Sequence, residues 1–284
     1  MDLTIISVPY DSGTKGMRMG MGPIVMAERY LSTDHCGKTE VKSIVLDEPF
    51  PTEIGTAFSV CRALSLEVSG AISRGRFPIV LAGNCNTALG TTSGMGGGNR
   101  GLFWFDGHGD FNTPETTKSG YLDGMGLAMT TGLCFRNLAP SIPGYSPVPF
   151  QNAVHVGGGD IEEQEAELMK EKGVARIHTE NVLHKGITDE MTDILPHMAT
   201  CIDALYVHID VDILDPVHFP SNQFPVKSGI SSEDVKEGLS LIFHALPVKS
   251  LCISSYDPSY DPQKNTLEAA MDFIKRVESL VATW

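Results

Sequence analysis

Asp106, His108 and Asp110 stand at alternate positions, with Gly107 and Gly109 between them, directly after the apolar run Gly101-Leu102-Phe103-Trp104-Phe105. Alternate side chains of an extended segment point to one side, so these three ionisable groups can converge. Convergent carboxylates and an imidazole repel and desolvate one another unless a positive charge lies among them. The chemistry this spacing predicts is metal binding.

Two further runs turn polar where they end. Ala204-Leu205-Tyr206-Val207 leads into His208-Ile209-Asp210-Val211-Asp212-Ile213-Leu214-Asp215-Pro216, in which Asp210 and Asp212 again alternate. Leu81-Ala82 leads into Gly83-Asn84-Cys85-Asn86. Taken singly, D-x-H reads as readily as a turn, and D-x-D as a helix cap or a solvated loop. Taken together, oxygen ligands with one or two imidazoles suit Mn²⁺ or a similar hard divalent ion.

The elements that position these residues follow from the hydrophobic pattern. Short apolar runs without in/out alternation fall at 3–8, 43–46, 78–82, 101–105, 153–156, 175–178, 204–211 and 251–254. Such runs suit strands of a parallel sheet covered on both faces. Helical patterns fall between them at 24–31, 56–74, 161–172, 188–199, 232–245 and 266–281. Alternating strands and helices predict one α/β sheet with crossover connections. Long loops are expected at 94–100, 114–124, 138–149 and 216–229. In open α/β sheets the site lies beyond the carboxyl ends of the strands, and the polar clusters stand there. No linker, repeat or low-complexity block divides the chain, so residues 1–284 are read as one domain.

A chain of 284 residues with 42% hydrophobic residues can bury a sizeable core. The net charge of −14 and the lack of clustered Lys and Arg argue against a nucleic-acid partner and favour a small molecule. The start of the chain reads as a first strand, not as a charged and then apolar leader. No apolar run approaches the ~20 residues that cross a bilayer. These readings predict a cytoplasmic protein without a membrane partner. Cys36, Cys61, Cys134, Cys201 and Cys252 read as structural; Cys85, in its polar segment, is different.

Over nearly its whole length the sequence resembles the arginase, agmatinase and formimidoylglutamase superfamily, the ureohydrolases. Val8-Pro9-Tyr10-Asp11-Ser12-Gly13 and Gly22-Pro23 resemble its opening segment, Gly83 to Asn86 its G-G-D-H-S, Asp106 to Asp110 its D-A-H-x-D, and His208 to Pro216 its S-x-D-V-D-x-L-D-P. The resemblance implies a three-layer α/β/α fold with a mostly parallel eight-stranded sheet and two divalent metal ions, most often Mn²⁺. It implies that Cys85, Asp106, Asp110 and Asp210 hold one ion and His108, Asp106, Asp210 and Asp212 the other. Two cations sharing a water make a nucleophile near neutral pH, and the implied reaction is hydrolysis of a C–N bond in a guanidine or amidine. Homo-oligomers are common in the family.

Four departures bear on the substrate. Cys85 stands at a histidine ligand position; a thiolate there favours softer ions such as Zn²⁺, while an unligated Cys85 would leave one site weak. Asp123 stands where arginases carry a proton-shuttling histidine, a task open to a carboxylate only if burial raises its pKa. Ser255 replaces the glutamate of the E-x-N-P pattern that faces the guanidinium, with Asp257 and Asp261 as nearby acids. Gly159-Asp160-Ile161-Glu162 lacks the arginine frequent before the first aspartate. Glu162 matches a contact to an α-ammonium, Asn112 and Ser119 match contacts to an α-carboxylate, and Tyr121 replaces a third.

The stretch from Gly107 to Met125 is similar to one branch, the Nω-hydroxy-L-arginine amidinohydrolases, which also carry a cysteine at the first ligand position. That likeness implies hydrolysis of N-hydroxy-L-arginine to ornithine and hydroxyurea. Arginase, agmatinase or formimidoylglutamase activity, and an inactive binding protein on the same fold, are the alternatives.

Overall fold

Each buried apolar run becomes a strand, and its alternate residues feed two separate cores. The computed structural model describes residues 1–33, 38–47 and 51–284. The chain opens with β1 (Asp2–Val8) and a small hairpin of β2 (Tyr10–Asp11) and β3 (Thr14–Lys15). There follow β4 (Thr39–Ser43), β5 (Arg76–Ala82), β6 (Arg100–Asp106), β7 (Ala153–Gly157), β8 (Ala175–His178), β9 (Ala204–Asp210) and β10 (Val248–Ser254). Eight of them form one sheet in the order β4-β1-β5-β10-β9-β6-β7-β8. Every pairing in that sheet is parallel.

Phe103 and Phe105 of β6, and Leu205, Val207 and Ile209 of β9, face one core; Leu102, Trp104, Ala204 and Tyr206 face the other. The first core is closed by α1 (Gly22–Leu31), and the second by α2 (Glu53–Ser73), α3 (Ala88–Gly94), α4 (Gly126–Thr130) and α5 (Glu163–Lys172). The first core is completed by α6 (Thr179–Lys185), α7 (Ile187–Met191), α8 (Ile194–Cys201), α9 (Ser232–Ala245) and α10 (Asn265–Val281). The result is the expected three-layer α/β/α arrangement with an eight-stranded sheet.

Local chemistry sets the helix ends. The Thr52 side chain accepts from Gly55 N at the start of α2, and Ser231 and Asp234 form a reciprocal capping box on α9.

Two expectations need correction. The strand expected at 43–46 lies at Thr39–Ser43. As an edge strand it is only half-buried and polar, so an apolar run does not mark it; Ile44, just beyond, packs into the second core. The helix expected at 188–199 is split into α7 and α8. Pro196 has no N–H for the carbonyl four residues back, which breaks the helix near Thr192. Also, α3 and α4 are short helices that the apolar pattern did not signal.

Cys61, Cys134 and Cys252 are buried and unpaired, and Cys201 is half-buried; Cys36 lies outside the described residues. Among the described residues no helix is long and apolar enough to cross a membrane.

Candidate metal centre

The four central strands, β5, β10, β9 and β6, end at one place. Register puts Phe105 beside Ile209 and Ser254 beside Asp210, so Asp106 and Asp210 emerge level with one another, on the same face as Trp104 and His208. Their carboxylates are steered from below and from the loops. Asp106 accepts from Trp104 Nε1 (2.8 Å) and His108 N (2.7 Å). Asp210 accepts from Asp212 N at 3.0 Å, and Asp212 accepts from Gly107 N at 3.1 Å.

The glycines of the motif are required by close approach. A Cβ on Gly107 would lie 2.7 Å from the Asp212 carbonyl, and one on Gly109 2.3 Å from the Glu165 carboxyl carbon. Side chains at either position would push the loop off the site.

Two compact sets of ligand atoms result, each within 4.8 Å of one another: Asp106, His108 and Asp212, and Cys85, Asp106 and His208. Asp106 is common to both. In the first set His108 Nδ1 lies 3.2 Å from Asp212 Oδ2. Asp210 joins the second through Cys85 Sγ, 2.9 Å from its Oδ2. Asp110, held in a left-handed backbone conformation (φ 49°), presents an Oδ2 that is buried without a hydrogen-bond partner.

The electrostatics are those of a crowded, buried acidic cluster. Burial, then repulsion from neighbouring aspartates, pushes Asp106, Asp110 and Asp210 well above the usual carboxylate range. Burial, then the charge of Asp210, pushes the Cys85 thiol up likewise. Burial opposes charge on His108, but Asp212 overrides it and raises the imidazole to about 10; despite its own burial Asp212 is held below the usual range by that imidazole. Among the described residues His108 is the only ion-pair partner of the four aspartates. An orphaned carboxylate oxygen and mutually repelling buried acids fit divalent cations.

Every candidate residue except the buried Asp106 lines one cavity of about 490 Å³. Cys85, Asp110, Asp123, Asp210, Asp212 and Ser255 are its buried lining, and His108, Asn112, Ser119, Tyr121 and Glu162 its more exposed lining. A larger groove of about 750 Å³, bordered by Glu233, His244 and Arg276, holds none of these groups. The candidate groups are gathered in the smaller one.

Asp123 is buried, which pushes it up to about 7. Its Oδ2 accepts from Asn84 Nδ2 (2.8 Å) and its Oδ1 from Asn86 N (3.1 Å), so it clamps the residues flanking Cys85. Tyr121 donates to Asp11 Oδ1 at 3.1 Å. Glu162 pairs with Lys118 at 3.1 Å across the rim, and Ser119 Oγ accepts from Tyr121 N. Ser255 places its Oγ 3.2 Å from Cys85 Sγ. Asp257 and Asp261 do not replace the missing glutamate: neither lines the cavity, and their carboxylates accept from Ser259 and from Tyr256, Asn265 and Leu267.

Sequence reading missed His208 and Glu165. His208 is fully buried, stacked on Trp104 with ring centroids 3.8 Å apart; burial pushes it down to about 3, leaving it neutral. A histidine two residues before Asp210, where S-x-D-V-D has serine, was the available signal. Glu165 accepts from Phe111 N (2.7 Å) and Asn112 Nδ2 (3.3 Å), fastening the loop after Asp110.

A parallel sheet whose central strands end in this ligand set defines an α/β protein of the ureohydrolase kind. The profile of the Arginase family matches residues 1–278, and the chain belongs to that family. The arginase of Bacillus caldovelox is 29% identical over 285 residues, 95% of each chain. A crystal structure of arginase from Bacillus subtilis superposes with a TM-score of 0.87 at 26% identity, covering 98% of both chains. The formimidoylglutamase structure from Bacillus subtilis shares the fold, with a TM-score of 0.79 at 16% identity over 99% of this chain and 86% of that one.

Proposed function

We propose that this chain is a binuclear metal-dependent hydrolase that cleaves a C–N bond of a guanidino compound, with N-hydroxy-L-arginine as its substrate and ornithine and hydroxyurea as products. The observation that carries the reading is the convergence of four buried aspartates with His108 and Cys85 at the ends of the central strands, with His108 their only counter-charge among the described residues. Cys85, Asp106, Asp110 and Asp210 would hold one ion and His108, Asp106, Asp210 and Asp212 the other, Mn²⁺ at the oxygen-rich side and Zn²⁺ admissible beside the thiolate. When bound, two such ions supply Lewis acidity and lower the pKa of a water enough to make it a nucleophile near neutral pH.

The chain's own residues set the rest. The cavity volume suits an amino-acid-sized ligand. Glu162 at the rim receives an α-ammonium, and Asn112 and Ser119 face an α-carboxylate. Ser255 offers a hydroxyl where a carboxylate would favour a full cation; an uncharged hydroxyguanidine is therefore accommodated without an unpaired buried charge. Asp123, raised to about 7 by burial, holds a proton for the departing amine near neutrality.

Plain arginine is the second reading, favoured by the relatives' names. Elemental analysis of the purified protein, with assay before and after chelation, tests the class: close to two divalent ions per chain and loss of hydrolysis on chelation are expected. Full activity in metal-free protein would overturn it.

A further inference from the structure

We infer that His208 is a metal ligand that joins Cys85, Asp106, Asp110 and Asp210 at the first ion, supplying from the strand beneath the site the imidazole that position 85 lacks, so that Cys85 and His208 make that site thiophilic, for Zn²⁺ or Co²⁺, beside a harder His108–Asp212 site. This assignment rests on the binuclear reading above and deepens it. Ring nitrogen, thiol sulfur and carboxylate oxygen lie within 4.8 Å of one another, and all three side chains are buried. Bonds of about 2.0–2.3 Å to one shared ion draw them in slightly.

The ring is prepared for that role. Trp104 stacks on one face of it at 3.8 Å and donates to Asp106, so one side chain fixes both ligands. His208 Nδ1 lies 2.7 Å from the Tyr206 hydroxyl. In the tautomer whose Nδ1–H donates to this hydroxyl, the Nε2 lone pair is free for the metal, as when a ligating histidine gives its second N–H to a fixed oxygen. That other nitrogen, Nε2, points to Ser254 Oγ (3.1 Å), which lies 3.3 Å from Cys85 Sγ. The hydroxyl has the Ile209 carbonyl as an alternative acceptor at 3.4 Å, so Nε2 can be released without orphaning it. A site that adds both a sulfur and a nitrogen to its carboxylates is softer than the one in which His108 alone accompanies carboxylates. The centre is thereby a mixed one, with a soft and a hard ion sharing Asp106.

Co²⁺ titration of the metal-free full-length protein reads this site without reference to hydrolysis, since a cobalt–thiolate bond gives an intense charge-transfer absorption. The wild type is expected to develop that band within the first equivalent, and Cys85→Ser to lose it. His208→Asn, which keeps a polar group toward Tyr206 but removes Nε2, is expected to weaken the first equivalent by at least about ten-fold and to leave the second unchanged. A folded His208→Asn with an unaltered titration overturns the assignment. Where His208→Asn does not fold, Zn X-ray absorption on His108→Ala with one equivalent of Zn²⁺ decides. Imidazole together with sulfur in the inner shell supports the assignment, and sulfur without imidazole overturns it. Failure of the binuclear reading itself looks different: the wild type then takes up no second equivalent, or takes up two and cleaves no guanidino compound.

Discussion

Cys85 Sγ lies 2.9 Å from Asp210 Oδ2, a thiol aimed at a carboxylate inside a buried acidic cluster. Such a contact persists in metal-free protein only while at least one partner keeps its proton. A divalent ion lets both release theirs. The metal content of the site, its response to pH and its choice of ion are therefore linked.

Metal should stabilise the fold more strongly as pH rises. In the metal-free fold Asp106, Asp110 and Asp210 are raised, so above the ordinary carboxylate pKa of about 4 the folded state binds more protons than the unfolded one. Stability then falls with increasing pH. His108, raised to about 10, acts in the same sense: its contribution is complete below about 6.5 and is lost toward its folded value. Bound ions replace those protons. The difference in Tm between loaded and metal-free protein is expected to widen from about pH 5 to 8; a difference that narrows would contradict the cluster as metal-binding.

Cys85→His should move metal preference from Zn²⁺ and Co²⁺ toward Mn²⁺ and raise hydrolysis of arginine relative to N-hydroxyarginine. Competition between Mn²⁺ and Zn²⁺ at limiting protein, with product assays on both substrates, reads the two effects separately. Unchanged preference in both would remove position 85 from the determinants of metal and substrate.

Asp123→Asn places an amide against two donors, Asn84 Nδ2 and Asn86 N, and removes a proton carrier. One hydrogen bond is lost with a buried donor left unsatisfied, at a cost of about 1–3 kcal/mol. If Asp123 carries the proton, kcat falls by about 10²–10⁴, and the limb of the pH–rate profile near 7 disappears. A stability loss with kcat and that limb intact would make it a clamp on the Cys85 segment alone.

Glu165→Ala should leave Phe111 N unsatisfied and cost about 1–3 kcal/mol, whereas Glu165→Gln keeps one acceptor and should retain most of the stability. Chemical denaturation of both variants measures the difference. Since the loop it fastens begins at Asp110, metal affinity should fall in the same order; an Ala variant with wild-type affinity would exclude Glu165 from positioning that loop.

The candidate site is legible in the sequence where chemistry and period coincide. Asp106, His108 and Asp110 show because polar residues at alternate positions interrupt a run of buried strand, and the central strands show because burial on both faces makes them apolar throughout. The edge strand β4, half-buried and polar, gives no such signal. Glu165 sits in the acid-rich stretch Glu162 to Glu167, which looks like a solvated helix face until folding turns one turn of it under Gly109. His208 lies inside a strand whose neighbours are apolar, and only its register with Trp104 and Cys252 shows what it faces. Asp257 and Asp261, close to Ser255 in sequence, are drawn away by local hydrogen bonds that depend on the turn before α10.

The substrate assignment is tested most directly by product analysis of the fully metal-loaded protein with N-hydroxy-L-arginine, L-arginine, agmatine and formimidoylglutamate side by side. Ornithine and hydroxyurea are expected from N-hydroxyarginine, with kcat/KM above that for the other three. Hydrolysis of arginine far faster than of N-hydroxyarginine, with two ions bound, would contradict the assignment.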